Sequence, residues 1–209
     1  MNTRAALLVA SLLVVIGVPA HAAPASSLAL GAKAPMATTK MKTADGGEIS
    51  IADVKGAKGT LVVFTCNACP WAKKWEARIV ELGNAAGEKG VGMIAINSND
   101  PNVNADDSYD VMKTRAKERG MTYAYAYDAT SEVARAFGAT RTPEAFLFDA
   151  KGKLVYHGTI DDNADDAAAV KDAYLANAVN AVATGKAVPV AETKSMGCGI
   201  KFRGEKKAS

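Results

Sequence analysis

The sequence predicts an α/β fold in which one mixed sheet is flanked by helices. Two continuous apolar runs, residues 60–65 and 91–96, have the composition of strands that are covered on both faces. Helical patterns follow these runs, and two further strand-like runs, 144–148 and 154–157, form a closing hairpin. Strands that alternate with helices and then end in a hairpin are typical of this fold class.

The composition is that of one globular domain with a substantial core. The chain has 209 residues, of which 49% are hydrophobic and 22% are charged. Its 25 basic and 22 acidic residues nearly balance, which argues against nucleic acid as the main partner, because such a partner needs a concentrated basic face. Three cysteines are too few for a disulfide-stapled scaffold. Two of them form a C-x-x-C, which indicates redox chemistry or metal binding.

The first 22 residues have the three-part pattern of a secretory signal peptide. Arg4 precedes an apolar run over residues 5–18, and Ala20-His21-Ala22 offers a small-residue cleavage site. The run is shorter than the roughly 20 residues that span a bilayer, and an uncleaved anchor is the alternative. Cleavage after Ala22 would leave a mature periplasmic or secreted chain without a membrane span, in an oxidising compartment.

The remaining chain is expected to form three parts: an extended leader over residues 23–37, one domain over 38–185, and a loose tail over 186–209. The first half of the domain begins with a predicted hairpin over 39–50, which turns at Ala44-Asp45-Gly46-Gly47. The strand at 60–65 follows. A helix is then predicted from Pro70 to about Lys89, because apolar residues recur there at steps of three and four: Trp71, Trp75, Ile79 and Leu82.

The second half of the domain continues the same alternation. We expect no calcium site in its acidic segment 161–166, which lacks the spacing of a calcium loop and is better explained as a solvated turn. The predicted elements are, in order, a strand at 91–96, a loop at 97–107, a helix at 108–119, a strand at 122–127, a helix at 131–137, the hairpin strands at 144–148 and 154–157, and a final helix at 170–184.

The C-x-x-C motif, Cys66-Asn67-Ala68-Cys69, lies between a buried strand and a helix. A helix N-terminus offers unpaired backbone N–H groups and a partial positive charge, and both stabilise a thiolate. Two cysteines at this spacing also allow the second to attack a mixed disulfide formed by the first. Three alternatives stay open at this point: a structural disulfide, half of a zinc site, and a copper(I)-thiolate site with His157 as the spare imidazole.

The segment from Phe64 to Lys73, Phe-Thr-Cys-Asn-Ala-Cys-Pro-Trp-Ala-Lys, resembles the active-site stretch of the thioredoxin-like superfamily, and in particular its peroxiredoxin-like redoxin branch. The resemblance covers about residues 31–203. Four further segments are similar to that branch: Ala-Ile-Asn-Ser-Asn-Asp at 95–100, Thr-Pro-Glu-Ala-Phe-Leu-Phe-Asp at 142–149, Tyr-His-Gly-Thr-Ile-Asp-Asp-Asn at 156–163, and Gly-Cys-Gly-Ile-Lys at 197–201.

The resemblance implies a three-layer thioredoxin fold and a role for each site residue. Cys66 would be the attacking thiol and Cys69 the resolving thiol. Pro143 would be a cis-proline that faces the pair, with Thr142 before it, and the backbone there would pair with an extended substrate strand. Trp71 would border the exposed sulfur.

The sequence also departs from the family pattern at informative positions. The buried Asp that thioredoxins often carry near Val63 is missing, so Glu144 and Glu76 become candidate proton acceptors for Cys69, with surface charges as the alternative. Arg141 stands where some relatives have a further cysteine, and it is expected to be solvated or to contact an acidic partner.

Cys198 is a candidate auxiliary residue. It lies in a glycine-flanked tail near Lys194 and Lys201, and flexible flanks with positive charge favour a reactive thiol. The tail could fold back over the dithiol, and the alternative is an inert thiol.

We therefore expect an exported thiol–disulfide oxidoreductase that exchanges the Cys66–Cys69 couple with protein, peptide or small-molecule disulfides. It would use no cofactor and no metal, and a separate membrane or periplasmic donor would supply electrons. The alternatives are a thiol peroxidase, in which Cys69-Pro70 would match the peroxidatic motif and Arg141 would polarise the peroxide, and a copper-thiolate binding module.

Overall fold

A computed structural model describes residues 27–205. It contains nine strands and four α-helices, with short 3-10 turns at Ala105–Asp107 and Ala167–Ala169. The strands are β1 Met41–Thr43, β2 Glu48–Ile49, β3 Gly59–Thr65, β4 Val91–Asn97, β5 Ala124–Tyr127, β6 Arg141–Thr142, β7 Glu144–Asp149, β8 Leu154–Gly158 and β9 Cys198–Gly199; the helices are α1 Pro70–Ala86, α2 Tyr109–Glu118, α3 Glu132–Phe137 and α4 Tyr174–Ala183.

Seven of the strands form one mixed sheet in the order β2-β1-β5-β4-β3-β7-β8. Strands β3, β4 and β5 are parallel, while β1, β2, β7 and β8 pair antiparallel with their neighbours. The predicted mixed sheet, the hairpin β1–β2 and the closing hairpin β7–β8 are therefore confirmed.

The two faces of the sheet explain why β3 has four consecutive apolar residues, Leu61 to Phe64. Leu61 and Val63 point into a core formed with α1 and α4, where Trp75 and Leu175 are fully buried. Val62 and Phe64 point to the opposite face and pack against Phe137 of α3. A strand between two cores has no solvent face, so alternation disappears from its sequence. The predicted three layers are confirmed.

Two helix boundaries differ from the prediction by more than one residue. Helix α1 ends at Ala86 with Gly87 as its C-cap, short of Lys89. Helix α4 begins at Tyr174, because the segment before it bonds to the acidic loop: the Lys171 N–H donates to Asp162, and the Asp162 N–H donates to the Asp172 carbonyl.

The acidic loop is itself less solvated than predicted. Asp161 is buried, and its carboxylate accepts a hydrogen bond from the Trp75 indole at 2.7 Å and pairs with Arg78. The prediction of a fully solvated turn is therefore wrong for Asp161, because the Trp75 indole and the Arg78 guanidinium provide it with partners inside the fold.

The tail is not loose. Its strand β9 pairs antiparallel with β6 as a separate two-stranded ribbon, and Ile200 is buried against the core beside α3. The Arg203 guanidinium donates to the carbonyl oxygens of Asp128 and Asn99. Glycine-rich flanks suggested mobility, but backbone pairing and these charge-assisted hydrogen bonds hold the segment in place.

The predicted signal peptide and the start of the predicted leader lie outside the described residues. Within residues 27–205, no helix combines the length and apolar character that crossing a membrane requires. The divisions after residues 37 and 185 stay predictions.

We predict that Gly92→Ala will destabilise the protein strongly. A Cβ at Gly92 would lie 1.6 Å from the carbonyl oxygen of Val54, and backbone cannot rotate away as a side chain can. We expect the free energy of unfolding to fall by about 1–3 kcal/mol or more, measured by denaturant titration. Gly87→Ala is the matched control, because a Cβ there meets nothing within 4 Å. Equal unfolding free energies for the two variants would contradict this close approach.

Candidate active site

The C-x-x-C occupies the connection between β3 and α1, as predicted. Cys69 is the N-cap residue of α1 and Pro70 opens the helix. Both cysteines are free thiols and only 4% exposed, so the expected exposed sulfur beside Trp71 is absent from this part of the chain as the structure describes it. The tail contributes to this burial, because its Cys198 packs against the pair together with Trp71.

Thr142 contacts both cysteines. Its hydroxyl lies 3.3 Å from the Cys66 Sγ, and its carbonyl oxygen accepts a hydrogen bond from the Cys69 Sγ at 3.1 Å. The peptide bond between Thr142 and Pro143 is cis, as the resemblance implied. The structure therefore brings together four of the residues predicted for the site.

Cys198 is the third thiol at this point. It lies opposite Thr142 in the β6–β9 register. Its side chain, together with that of Trp71, packs against the cluster formed by Cys66, Cys69 and Ala72. The backbone of Thr142, which Cys198 faces, carries the carbonyl oxygen that accepts from Cys69.

The surroundings of the two sulfurs favour a thiolate on Cys69 over one on Cys66. Hydrogen bonds from the thiols of Cys66 and Cys198, and from the Ala72 N–H in the first turn of α1, lower the pKa of Cys69 despite its burial. The pKa of Cys66 is raised by its hydrogen bond to Cys69, by burial and by the negative charge of Asp107. The resemblance assigned the attacking role to Cys66, whereas the position at the helix N-cap favours Cys69 as the nucleophile.

Asp107 is a site residue that the sequence analysis missed. Its buried carboxylate accepts hydrogen bonds from the backbone N–H groups of Asn67 and Ala68, at 2.7 and 2.9 Å, and from the Asn99 side chain at 2.8 Å. It therefore holds the two residues between the cysteines. Thioredoxins often carry a buried Asp near the position of Val63, in strand β3, whereas this carboxylate comes from the turn before α2.

A usable signal for Asp107 exists in the sequence. The loop over residues 97–107 is dense in Asn and Asp and follows the second parallel strand. Loops that follow adjacent parallel strands meet at the same edge of a sheet, so this loop had to lie beside the C-x-x-C. Asn67 confirms the proximity, because its amide donates to the Asp106 carbonyl and accepts from the Tyr125 hydroxyl.

Glu144 and Glu76 both form their hydrogen bonds and ion pairs with groups other than the cysteines. Glu144 is buried and accepts hydrogen bonds from His157 at 2.7 Å and Ser195 at 3.0 Å. Burial opposes its ionisation, but the bonds from His157 and from two backbone N–H groups outweigh burial and lower its pKa. Glu76 lines a small cavity of about 20 Å³ beside Cys66. Its oxygens pair with Arg115 and Arg119. Neither carboxylate is a free surface charge.

Two other predicted residues have defined positions. Arg141 is exposed, and its guanidinium contacts the Gly197 carbonyl of the tail at 3.4 Å. His157 stacks on Phe146 and bonds to Glu144 and Ser27. Residues 27–205 contain no group of three or more His, Cys, Asp or Glu side chains placed to hold a metal ion. The imidazole that the copper alternative would use is bonded to Glu144 and Ser27.

The chain belongs to the Redoxin family, whose model matches residues 29–174. Two curated proteins, both thiol-disulfide oxidoreductase ResA, from Bacillus thuringiensis and Bacillus cereus, are 29% identical over 53% of this chain and 60% of theirs. This chain therefore spans about three fifths of the length of the curated relatives it matches.

Solved structures agree with this assignment. An uncharacterized conserved protein from Geobacillus kaustophilus is 36% identical with a TM-score of 0.79, over 85% of this chain and 94% of that one. The thioredoxin domain of a thiol-disulfide oxidoreductase from Bacteroides vulgatus is 25% identical with a TM-score of 0.52, over 63% and 89%. The resemblance to the thioredoxin-like superfamily is confirmed.

We predict that Asp107→Asn will loosen the C-x-x-C. The change removes the charge from hydrogen bonds to Asn67 and Ala68, and bonds to charged groups contribute about 1.5–3 kcal/mol. We expect the free energy of unfolding to fall by that amount and the pKa of Cys66 to fall, because the nearby negative charge is gone. Asp106→Asn is the control, since its side chain is exposed. Indistinguishable effects of the two substitutions on stability and thiol titration would contradict the role of Asp107.

We predict that the thiolate of the reduced protein belongs to Cys69. Because its pKa is lowered, the thiolate absorbance should persist at pH 7 and disappear on acidification well below the ordinary value of about 8.5. Cys69→Ser should remove this signal at pH 7. Cys66→Ser should retain it, because a hydroxyl can still donate to the Cys69 sulfur. The reverse pattern would return the nucleophilic role to Cys66.

Proposed function

We propose that the protein is a thiol–disulfide oxidoreductase that uses the Cys66–Cys69 couple. The observation that carries this proposal is the contact of both sulfurs with Thr142, the residue before a cis-proline, at the start of a helix. The names of the ResA relatives and of the Bacteroides vulgatus domain support the same activity.

The reaction follows from the order of the sulfurs. The Cys69 thiolate attacks a disulfide sulfur presented next to Thr142, which forms a mixed disulfide and releases the first client thiolate. Cys66 then gives its proton to the client and attacks the Cys69 Sγ, which releases the second client thiol and leaves a Cys66–Cys69 disulfide. Two electrons pass to the client in total; one proton comes from Cys66 and the other from solvent, because Cys69 starts as a thiolate. The chemistry resides in sulfur atoms, so it needs no cofactor.

The proposed clients are disulfide-containing proteins or peptides, and Thr142, Pro143 and Trp71 are proposed as their contact residues. Arg141 stands beside this edge and could pair with an acidic group of the client. We further propose that the chain is exported through its N-terminal segment, with cleavage after Ala22. In an oxidising compartment, a separate membrane or periplasmic donor must then reduce the couple again.

Peroxide reduction is the second candidate. The observation that favours it is the position of Cys69, which lies at the helix N-cap directly before Pro70 and has a lowered pKa. Cys66 occupies the place where the related peroxidases carry a threonine hydroxyl. Arg141, the proposed peroxide-polarising group, contacts the tail instead of the pair.

We predict that Cys66→Ser and Cys69→Ser will each reduce the insulin disulfide-reductase rate to that of the reaction without protein, with dithiothreitol as electron source. Each substitution removes one of the two sulfurs that the exchange requires. Their unfolding free energies, measured alongside, should stay within about 2 kcal/mol of wild type. Hydrogen peroxide consumption that depends on Cys69, together with no insulin reduction by the wild type, would replace the proposed function with the peroxidase.

A further inference from the structure

Strand β9 of the tail pairs with β6, the strand directly before the cis-proline. Without β9, this edge of β6 would have no strand partner. Cys198 pairs with Thr142 and Gly199 with Arg141, and the Ile200 N–H donates to the Thr140 carbonyl at 3.0 Å. An extended client could pair with this backbone only if the tail left it. The tail therefore already supplies a strand with a cysteine at the position where the proposed function needs a client sulfur.

The tail is anchored on both sides of Cys198. Upstream, Ser195 donates to the buried Glu144. Downstream, the Lys201 N–H donates to the Asn99 side chain, and the Arg203 guanidinium donates to three carbonyl oxygens of the domain. Gly197 permits the close approach, because a Cβ there would lie 2.3 Å from the Thr142 carbonyl oxygen. A segment held this firmly presents its thiol in one position.

The three cysteines differ in their solvent exposure. Cys66 and Cys69 are each 4% exposed, whereas Cys198 is only half-buried. With the tail in place, Cys198 is the least buried of the three cysteines. Cys198 packs against the cysteine pair and faces the Thr142 backbone, whose carbonyl oxygen accepts from Cys69, whereas Cys66 contacts the Thr142 side chain. This arrangement favours Cys69 as the next sulfur after Cys198 in a series of three.

We propose that Cys198 is a third catalytic cysteine, which accepts the client disulfide first and passes the oxidation inward through Cys69 to Cys66. This proposal rests on the proposed thiol–disulfide activity and identifies the sulfur that Cys69 attacks. Its distinctive intermediate is a disulfide between Cys69 and Cys198.

Each step exchanges one S–S bond for another. The Cys198 thiol gives its proton to the neighbouring Cys69 thiolate and attacks the client disulfide, forming a Cys198–client bond and releasing the first client thiolate, which takes the proton from Cys69. Cys69 then attacks the Cys198 Sγ, which forms the Cys69–Cys198 disulfide and releases the second client thiolate. Cys66 finally attacks the Cys69 Sγ, forms the Cys66–Cys69 disulfide and frees Cys198. The two client thiolates receive the protons of Cys198 and Cys66, and the Cys198 thiolate left at the end takes a proton from solvent, so the client gains two electrons and two protons.

The intermediate can be trapped in the full chain. Treatment of Cys66→Ser with glutathione disulfide should join Cys69 to Cys198, with two glutathione thiols released, as peptide mapping without reductant would show. The matched variant Cys69→Ser, treated in the same way, should not join Cys66 to Cys198. Absence of the Cys69–Cys198 bond in the first variant, or a Cys66–Cys198 bond in the second, would overturn the proposed series.

Turnover separates this proposal from the proposed function. Cys198→Ser should lower insulin reduction by at least about tenfold, while glutathione disulfide still forms the Cys66–Cys69 bond in that variant. An insulin rate within twofold of wild type in Cys198→Ser, combined with loss of activity in Cys69→Ser, would overturn the role of Cys198 and leave the proposed function standing. Full activity in Cys69→Ser would overturn both.

Two glycine substitutions test whether the tail passes the oxidation from the client to Cys69, which we call a relay, or only shields the dithiol from solvent. Gly197→Ala should displace β9 from Thr142 and lower the insulin rate, because Cys198 moves away from Cys69. Gly199→Ala is the matched control, since the nearest atom to a Cβ there is 4.0 Å away, and its rate should equal that of wild type. A faster rate in Gly197→Ala would show that the tail only blocks the dithiol, and would contradict the relay.

Discussion

Thr142 is the residue on which the geometry of the site depends. Its hydroxyl and carbonyl oxygen contact the sulfurs of Cys66 and Cys69, and its backbone pairs with the strand that carries Cys198. Buried polar atoms are retained where they have partners, and here the partners are the reactive sulfurs themselves. The three thiols are thus positioned against one backbone segment, rather than by helix α1 alone.

Two buried carboxylates support this arrangement from opposite sides. Asp107 accepts the N–H groups between the cysteines, and Glu144 accepts those of Thr140 and Arg141 just before Thr142. Each fixes backbone that would otherwise carry unpaired donors in a buried region, where an unpaired polar group is costly. Glu144 also contacts Ser195, so the same carboxylate connects the cis-proline segment with the tail.

The sequence was sufficient for most of the fold and for the centre of the site. Continuous apolar runs predicted β3 and β4 because strands buried on both faces have no polar side, and the position of the C-x-x-C predicted its place at a helix start. What escaped prediction depends on contacts distant in sequence. Asp107 is 40 residues from Asn67, and the tail strand is recognisable only beside its partner β6. Two-residue strands such as β6 and β9 have no periodicity to detect.

The position of α4 and the tail determines where the chain can be truncated without exposing the core. The family match ends at residue 174, the first residue of α4. Yet α4 covers one face of the sheet with Leu175, Ala178 and Val179, all fully buried, and the segment beyond it lies over the cysteines. A fragment trimmed to the recognisable family boundary would uncover an apolar face and lay the thiols open to solvent. The segment that must be present for the fold to be complete therefore extends beyond the residues that the family model matches.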